Sequence, residues 1–290
     1  MIAITGANGQ LGGLVIKGLL ETTPAEEIIA AVRSPEKAQA LQNLGVQLRE
    51  ADYDRPETLA KAFRGVQKLL LISAVVPGQR LPQHRAVVDA AKQAGVKVIA
   101  YTSLLRADSS ELVLAAEHKA TEDYLKDSGV SFILLRNGWY LENHTAALPG
   151  ALQNGVIIGS AGEARFASAS RADYAGAAVV VLTQPGHENR IYELAGDSAF
   201  TPGDLAAEVT KQTGIQVAYR NLPAAEYEAA LLGIGLPRML VKVAVDADLK
   251  AQRGALDSSS HDLSGLLGRG TTTLSEAVAA AVAPPQRAGH

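Results

Sequence analysis

Cysteine is absent from the 290 residues, which excludes disulfides, thiolate metal sites and a cysteine nucleophile. There is no long basic run and the formal net charge is −3, so nucleic acid is not an expected partner. No apolar run reaches membrane-spanning length, so no membrane partner is expected either. His84, His144, His187 and His261 have no carboxylates at ligand spacing, and no metal site is expected. A G-x-S-x-G elbow and a Ser-His-Asp order are both missing, and the carboxylates form no recognisable acid pair, so hydrolysis has no support. The first strand starts at the initiator Met, so no signal peptide is expected and the setting expected is the cytoplasm.

What is present begins with MIAITGANGQLGG at residues 1–13. The apolar run Ile2–Thr5 meets three glycines spaced by two residues, and a helical stripe of Leu11, Leu14, Val15, Leu19 and Leu20 follows. This is strand, tight turn, helix. Gly6 permits the turn, Gly9 lets the backbone approach a pyrophosphate, and Gly12 lets helix and strand pack closely. Gly6, Asn8, Gly9, Gln10, Leu11 and Gly12 are therefore the expected phosphate site, with free N–H groups at the helix start.

With 47% hydrophobic and 20% charged residues, the chain can bury a sizeable core. Strand-like runs at Ile28–Val32, Val46–Glu50, Lys68–Ser73, Val98–Tyr101 and Phe132–Arg136 alternate with helical patterns at Ser34–Asn43, Pro56–Phe63, Arg80–Ala94 and Leu112–Asp127. Continuous apolar strands joined by helices imply a parallel sheet covered on both faces. The expected fold is α/β: a Rossmann-type doubly wound parallel sheet with a smaller, interleaved C-terminal lobe. The boundary is placed at 148/149, giving a dinucleotide-binding domain over 1–148 and a substrate lobe over 149–290, with a strand at Arg190–Leu194 returning to the main sheet. Gln216–Tyr219 is expected as a short strand elsewhere. Helices are expected at Arg171–Val181, Pro202–Gln212, Ala224–Leu232, Pro237–Lys250 and Leu274–Val282, and a frayed tail at Pro284–His290.

Arg33 follows the second strand, where a dinucleotide's adenosine ribose lies. A cation there pairs with a 2′-phosphate, so NADPH is the expected cofactor, with Lys37 one turn later. Asp52 follows the third strand and either reaches the adenine or caps the helix near Pro56. Ser73, Thr102 and Ser103 end the fourth and fifth strands, beside the ribose and nicotinamide or as local caps.

These segments, TGANGQLG, the AVR ending of the second strand, GVQKLLLIS, AGVKVIAYTS, LLRNGWYLEN, YELAGDSAFT and TTTLSEAV, together resemble the quinone-reducing members of the NmrA-like atypical short-chain dehydrogenases. Triphenylmethane dye reductases of that family share much of the pattern. The resemblance implies NADPH binding, an interleaved small lobe and direct hydride transfer to a small-molecule quinone without flavin or metal.

One departure from ordinary short-chain dehydrogenases is visible. They carry Tyr-x-x-x-Lys on the helix after the fifth strand, whereas here Ala115 stands at the tyrosine position and Lys119 at the lysine, where it is expected to bind the cofactor. A simple ketone needs an acid as hydride arrives. A quinone gives a delocalised anion and can do without one. His118 is the substitute acid on that helix, with a structural histidine as the plainer reading. Tyr140 and Asn143, after the sixth strand, are expected to hydrogen-bond the quinone oxygen. Trp139 is read as packing between the lobes, and whether Phe166, Ser168 and Arg171 border the pocket is left open. Reduction of another conjugated acceptor, such as a cationic dye, and a redox-sensing regulator that binds the dinucleotide are the competing readings. A homodimer is also left open.

Overall fold

Continuous runs of apolar and small residues build the central layer. The computed structural model describes residues 1–74 and 78–283. Its strands are β1 (Ile2–Thr5), β2 (Ile28–Val32), β3 (Gln47–Glu50), β4 (Lys68–Leu71), β5 (Val98–Leu104), β6 (Ser131–Asn137), β7 (Val156–Gly159), β8 (Arg190–Leu194) and β9 (Ala218–Asn221). Seven of them form one parallel sheet in the order β3-β2-β1-β4-β5-β6-β8. The order reverses between β1 and β4, which opens a crevice outside their carboxyl ends.

Successive strand residues point to opposite faces, so each strand feeds two cores. Ile4, Ala30, Leu70, Ala100 and Leu135 meet Val15, Ile16 and Leu19 of helix Gln10–Leu19 and Ala178, Val181 and Leu182 of helix Arg171–Thr183. Ala3, Ile29, Leu69, Ile99 and Leu134 meet Leu59, Phe63, Val87, Val88 and Leu125, from the three helices Pro56–Ala62, Arg80–Gln93 and Ala115–Asp127 and their ends. Full burial on both faces is why these strands read as apolar runs rather than as alternation.

Several expectations need correcting. The expected helix over Ser34–Asn43 is a 3-10 turn, Pro35–Lys37, and a single helical turn, Gln39–Gln42. Only Leu41 of that short helix is buried, so packing does not extend it. β5 runs three residues past Tyr101, because Thr102, Ser103 and Leu104 stay paired with Leu135, Arg136 and Asn137. β4 stops at Leu71, two residues before the expected Ser73. Strand β7 and helices Leu141–Thr145, Leu148–Asn154 and Asp262–Leu267 were not expected. The tail at 284–290 lies outside the described residues.

The chain returns to the main sheet with more than β8. Helix Arg171–Thr183 and Leu263 of helix Asp262–Leu267 also join the core on the sheet face that carries helix Gln10–Leu19. The remaining C-terminal chain forms a separate core of Leu148, Phe166, Phe200, Val209, Ala251 and Val278 under the parallel pair β7–β9. No helix among the described residues is long and apolar enough to cross a membrane.

Within that smaller core Asp248 is half-buried and accepts a 2.7 Å hydrogen bond from the Ser160 N–H. Burial raises its pKa from 3.8 to about 6, only partly opposed by that bond. The folded value exceeds the unfolded one, so the stability it contributes is full at acid pH and is lost as pH rises through about 6. Asp248→Asn keeps an acceptor for Ser160 and removes the uncompensated charge. Thermal unfolding at pH 7.5 is expected to show it more stable by about 1–3 kcal/mol, with the gain vanishing near pH 4. An unchanged difference across that range would show that the carboxylate is not desolvated.

Candidate functional site

The site starts at the carboxyl end of β1. Thr5 is buried, its hydroxyl donating to the Leu70 carbonyl at 3.2 Å and accepting from the Ile72 N–H at 3.0 Å. The two strand ends at the switch point are thereby fixed. Gly6 then turns with φ +60°, a conformation side chains rarely adopt. The Gly9 N–H closes the turn on the Gly6 carbonyl at 2.9 Å. A Cβ on Gly12 would lie 2.5 Å from the Gly6 oxygen and 2.7 Å from the Ala7 Cα, so only glycine lets the helix sit this close. Gly9 differs. Its φ is −80°, and a Cβ there would meet only the Gly6 oxygen at 3.1 Å. The turn itself therefore demands glycine at 6 and 12, not at 9, and the space over Gly9 is open.

Helix Gln10–Leu19 begins with Gly9 as its N-cap, with no side-chain capping bond and no acid in its first turn. Helices Arg171–Thr183, Pro202–Thr213 and Leu274–Val282 each begin with a full capping box instead. The first helix thus presents orphan N–H groups and the positive end of its dipole beyond the sheet edge. Those residues fit a pyrophosphate. Asn8 and Gln10 are exposed there, while Leu11 is buried in the core and has only its backbone to offer. Asn8 Nδ2 donates to the Lys37 carbonyl at 3.4 Å, which ties the turn to the segment after β2. Arg33 is exposed at the start of that segment, one strand from Gly6. Its place fits a 2′-phosphate. Asp52 accepts from the Asp54 N–H at 3.1 Å in a local turn; the residue capping helix Pro56–Ala62 is Arg55. The helix-cap role for Asp52 is thus corrected.

Beyond β4 the backbone is held on both sides. The Ser73 N–H donates to Thr102 Oγ1 at 2.9 Å. The Ala74 N–H donates to His84 Nε2 at 2.9 Å, and Arg80 Nε donates to the Ala74 carbonyl at 2.9 Å. Arg80 is in turn paired with Glu117 at 3.1 Å. Burial, with Arg80 adding to it, lowers His84 to about 3, so its neutral ring can accept. Sequence reasoning missed this clamp. Its partners are up to 37 residues apart and no spacing marks them.

Three expected site residues are engaged elsewhere. The Ser103 hydroxyl donates to Glu122 Oε1 at 2.5 Å, inside a buried ion cluster. Lys119 pairs with Asp123 one turn along its own helix. His118 is buried and its Nδ1 lies 2.8 Å from the Tyr101 hydroxyl. Burial first, then Arg80 and His84, hold His118 well below its usual pKa. A neutral ring bonded inside the core is a poor proton donor, and His118 is corrected to a structural role.

Past β6, Tyr140 and Asn143 do come together. Tyr140 packs on Tyr174 with ring centroids 5.1 Å apart, and the Arg171 guanidinium lies 4.9 Å from its ring centroid. Its hydroxyl accepts from Asn137 Nδ2 at 3.4 Å, and burial raises its pKa, so it stays a phenol. Asn143 is exposed and its Oδ1 accepts from Arg171 Nη2 at 3.4 Å. Asn137, which sequence reasoning passed over, is buried with an Oδ1 lacking a partner among the described residues. It ends an apolar strand, where a polar residue reads as a simple strand terminus.

A family model described as NAD(P)H-binding matches residues 6–185. Quinone oxidoreductase 2 of Escherichia coli is 56% identical over 278 residues, covering 96% of this chain and 97% of the relative. The crystal structure of the E. coli NADPH-dependent quinone oxidoreductase complexed with NADPH superposes with a TM-score of 0.94 over 97% of this chain and 99% of that one. The Citrobacter sp. triphenylmethane reductase complexed with NADP(H) does so with a TM-score of 0.94 at 38% identity, covering 97% and 100%.

Proposed function

The chain belongs to the NAD(P)H-binding family, and we propose that it is an NADPH-dependent quinone oxidoreductase. The observation that carries this reading is the near-complete match, at 56% identity, to an enzyme of that name, and the tight glycine turn and exposed Arg33 support it. When bound, NADPH supplies the hydride. The chain's residues bind and orient. The N–H groups after Gly9 hold the pyrophosphate, Arg33 takes the 2′-phosphate, and Ser73 and Thr102 border the nicotinamide ribose. Tyr140, Asn143 and their neighbours set the quinone against the open side of the nicotinamide.

The acceptor class follows from what the helix Ala115–Asp127 lacks. Ala115 is buried, His118 is neutral and Lys119 is paired, so no proton donor faces the site from there. Such a site suits a conjugated acceptor whose product anion is delocalised and does not suit a ketone. We place the enzyme in the cytoplasm with a small-molecule quinone as its partner. The test is anaerobic NADPH oxidation with duroquinone, with hydroquinone measured as product. Stoichiometric turnover supports the reading. NADPH binding without turnover would make the chain a redox sensor, and turnover confined to cationic dyes would make it a dye reductase.

Cofactor choice gives a separate expectation. Arg33→Ala should cut the preference for NADPH over NADH by about 1.5–3 kcal/mol, the scale of a hydrogen bond to a charged group. Dissociation constants for both cofactors, measured by titration on both proteins, check it. Equal affinities in the unaltered protein would remove Arg33 from the site.

A further inference from the structure

We propose that His144 binds the acceptor, donating the N–H of its Nδ1 to the quinone oxygen. This rests on the quinone reductase reading above and names a residue that reading does not use. His144 lies on helix Leu141–Thr145, four residues past Tyr140 and so on the same side of that turn. The opposite wall is the segment before helix Arg171–Thr183, joined to Tyr140 through a bridge at Ala169. The Ala169 N–H donates to the Trp139 carbonyl at 3.2 Å, and the Leu141 N–H donates to the Ala169 carbonyl at 2.9 Å. His144 thus stands where the chain leaving β6 meets the smaller core, beside Asn143 and Tyr140.

Its ring is held from behind. Phe166 and Phe200 pack edge-on with centroids 4.8 Å and 5.0 Å from the imidazole. Both phenylalanines and Ser168 are buried, whereas His144 as a residue is only half-buried. Nε2 lies 3.1 Å from the Ser168 hydroxyl. Among the described residues Ser168 Oγ has no other partner, and a buried hydroxyl hydrogen needs an acceptor. Nε2 is that acceptor, which leaves the ring's proton on Nδ1. Nδ1 has no partner among the described residues. Burial lowers the ring to about 4, so at neutral pH it is an uncharged donor in a fixed orientation.

A quinone oxygen needs such a donor. It gains negative charge as the hydride arrives, and a placed N–H stabilises that charge without reorganising. The acceptor gains one hydride, and one proton from water completes the hydroquinone. The imidazole keeps its own proton throughout.

His144→Phe keeps the aromatic packing and removes the donor. The KM for duroquinone is expected to rise about five- to tenfold, the worth of one hydrogen bond, with the NADPH dissociation constant unchanged. Duroquinone affinity in the presence of NADP⁺, read by quenching of Trp139, the only tryptophan, should weaken by the same factor. His144→Asn, whose amide nitrogen falls near the Nδ1 position, should recover most of the loss. Turnover by the unaltered protein tests the quinone reductase reading, and its absence overturns both proposals. With turnover present, the variant ratios test His144 alone. An unchanged KM and affinity in His144→Phe would overturn its role. So would an equal loss of NADPH affinity and thermal stability, or the absence of rescue by asparagine.

Discussion

Gly9→Val is expected to abolish NADPH binding while leaving the protein folded. Gly9 has an ordinary φ of −80°, and a Cβ would meet only the Gly6 oxygen at 3.1 Å. That contact asks the Gly6 carbonyl to give by only a few tenths of an ångström. The two methyl groups, however, would stand over the first-turn N–H groups, where the pyrophosphate must approach within hydrogen-bonding distance. Losing two charge-assisted bonds of about 1.5–3 kcal/mol each weakens binding by at least about 100-fold. Gly12→Val is the contrasting variant. Its Cβ would stand 2.5 Å from the Gly6 oxygen, so helix Gln10–Leu19 must move off the turn. That overpacking costs about 3 kcal/mol or more of stability. Cofactor titration and thermal unfolding on both variants separate the two roles. Normal NADPH binding by a folded Gly9→Val would mean that this turn does not hold the phosphates.

Arg136→Met is expected to destabilise the fold by about 3–5 kcal/mol without touching the site itself. Arg136 is buried at the carboxyl end of β6, its Nη2 2.7 Å from Glu122 and its Nη1 2.7 Å from Glu193 and 3.1 Å from Asp108. Glu122 is fully buried and also accepts from Ser103 at 2.5 Å. The cluster joins β5, β6, β8 and helix Ala115–Asp127. Removing the cation leaves the buried Glu122 with only the Ser103 hydroxyl and a longer 3.7 Å approach from Lys126, at a cost of about 3–5 kcal/mol. The double variant Arg136→Met with Glu122→Gln should recover part of that loss, because less charge is then stranded. Chemical denaturation of the three proteins checks both statements. A single variant within about 1 kcal/mol of the unaltered protein would show the cluster to be solvated.

Both predictions depend on residues of different legibility. The glycine turn was readable because strand, turn and helix are consecutive, and the demands on Gly6 and Gly12 are local. Arg33 was readable for the same reason, since it lies just past an apolar strand. The two-sided sheet was readable because burial on both faces leaves continuous apolar runs. The Arg136 cluster was not. Glu193 lies 57 residues from Arg136, and only the pairing of β6 with β8 brings them together.

The sequence by itself determined the Rossmann-type fold, the glycine turn between β1 and its helix and the exposed Arg33 after β2, since each rests on neighbours within one β–α unit. Tertiary structure alone decided what each titratable side chain does. His118 looked like a spare acid until Tyr101 was found against it, and Ser103 looked like a cofactor contact until Glu122 took its hydroxyl. Among the histidines of the described residues, only His144 is half-buried with its ring backed by Phe166, Ser168 and Phe200. The physical reason is burial. It sets whether an imidazole is charged and which of its nitrogens is free, and it is a property of surfaces brought together from distant parts of the chain.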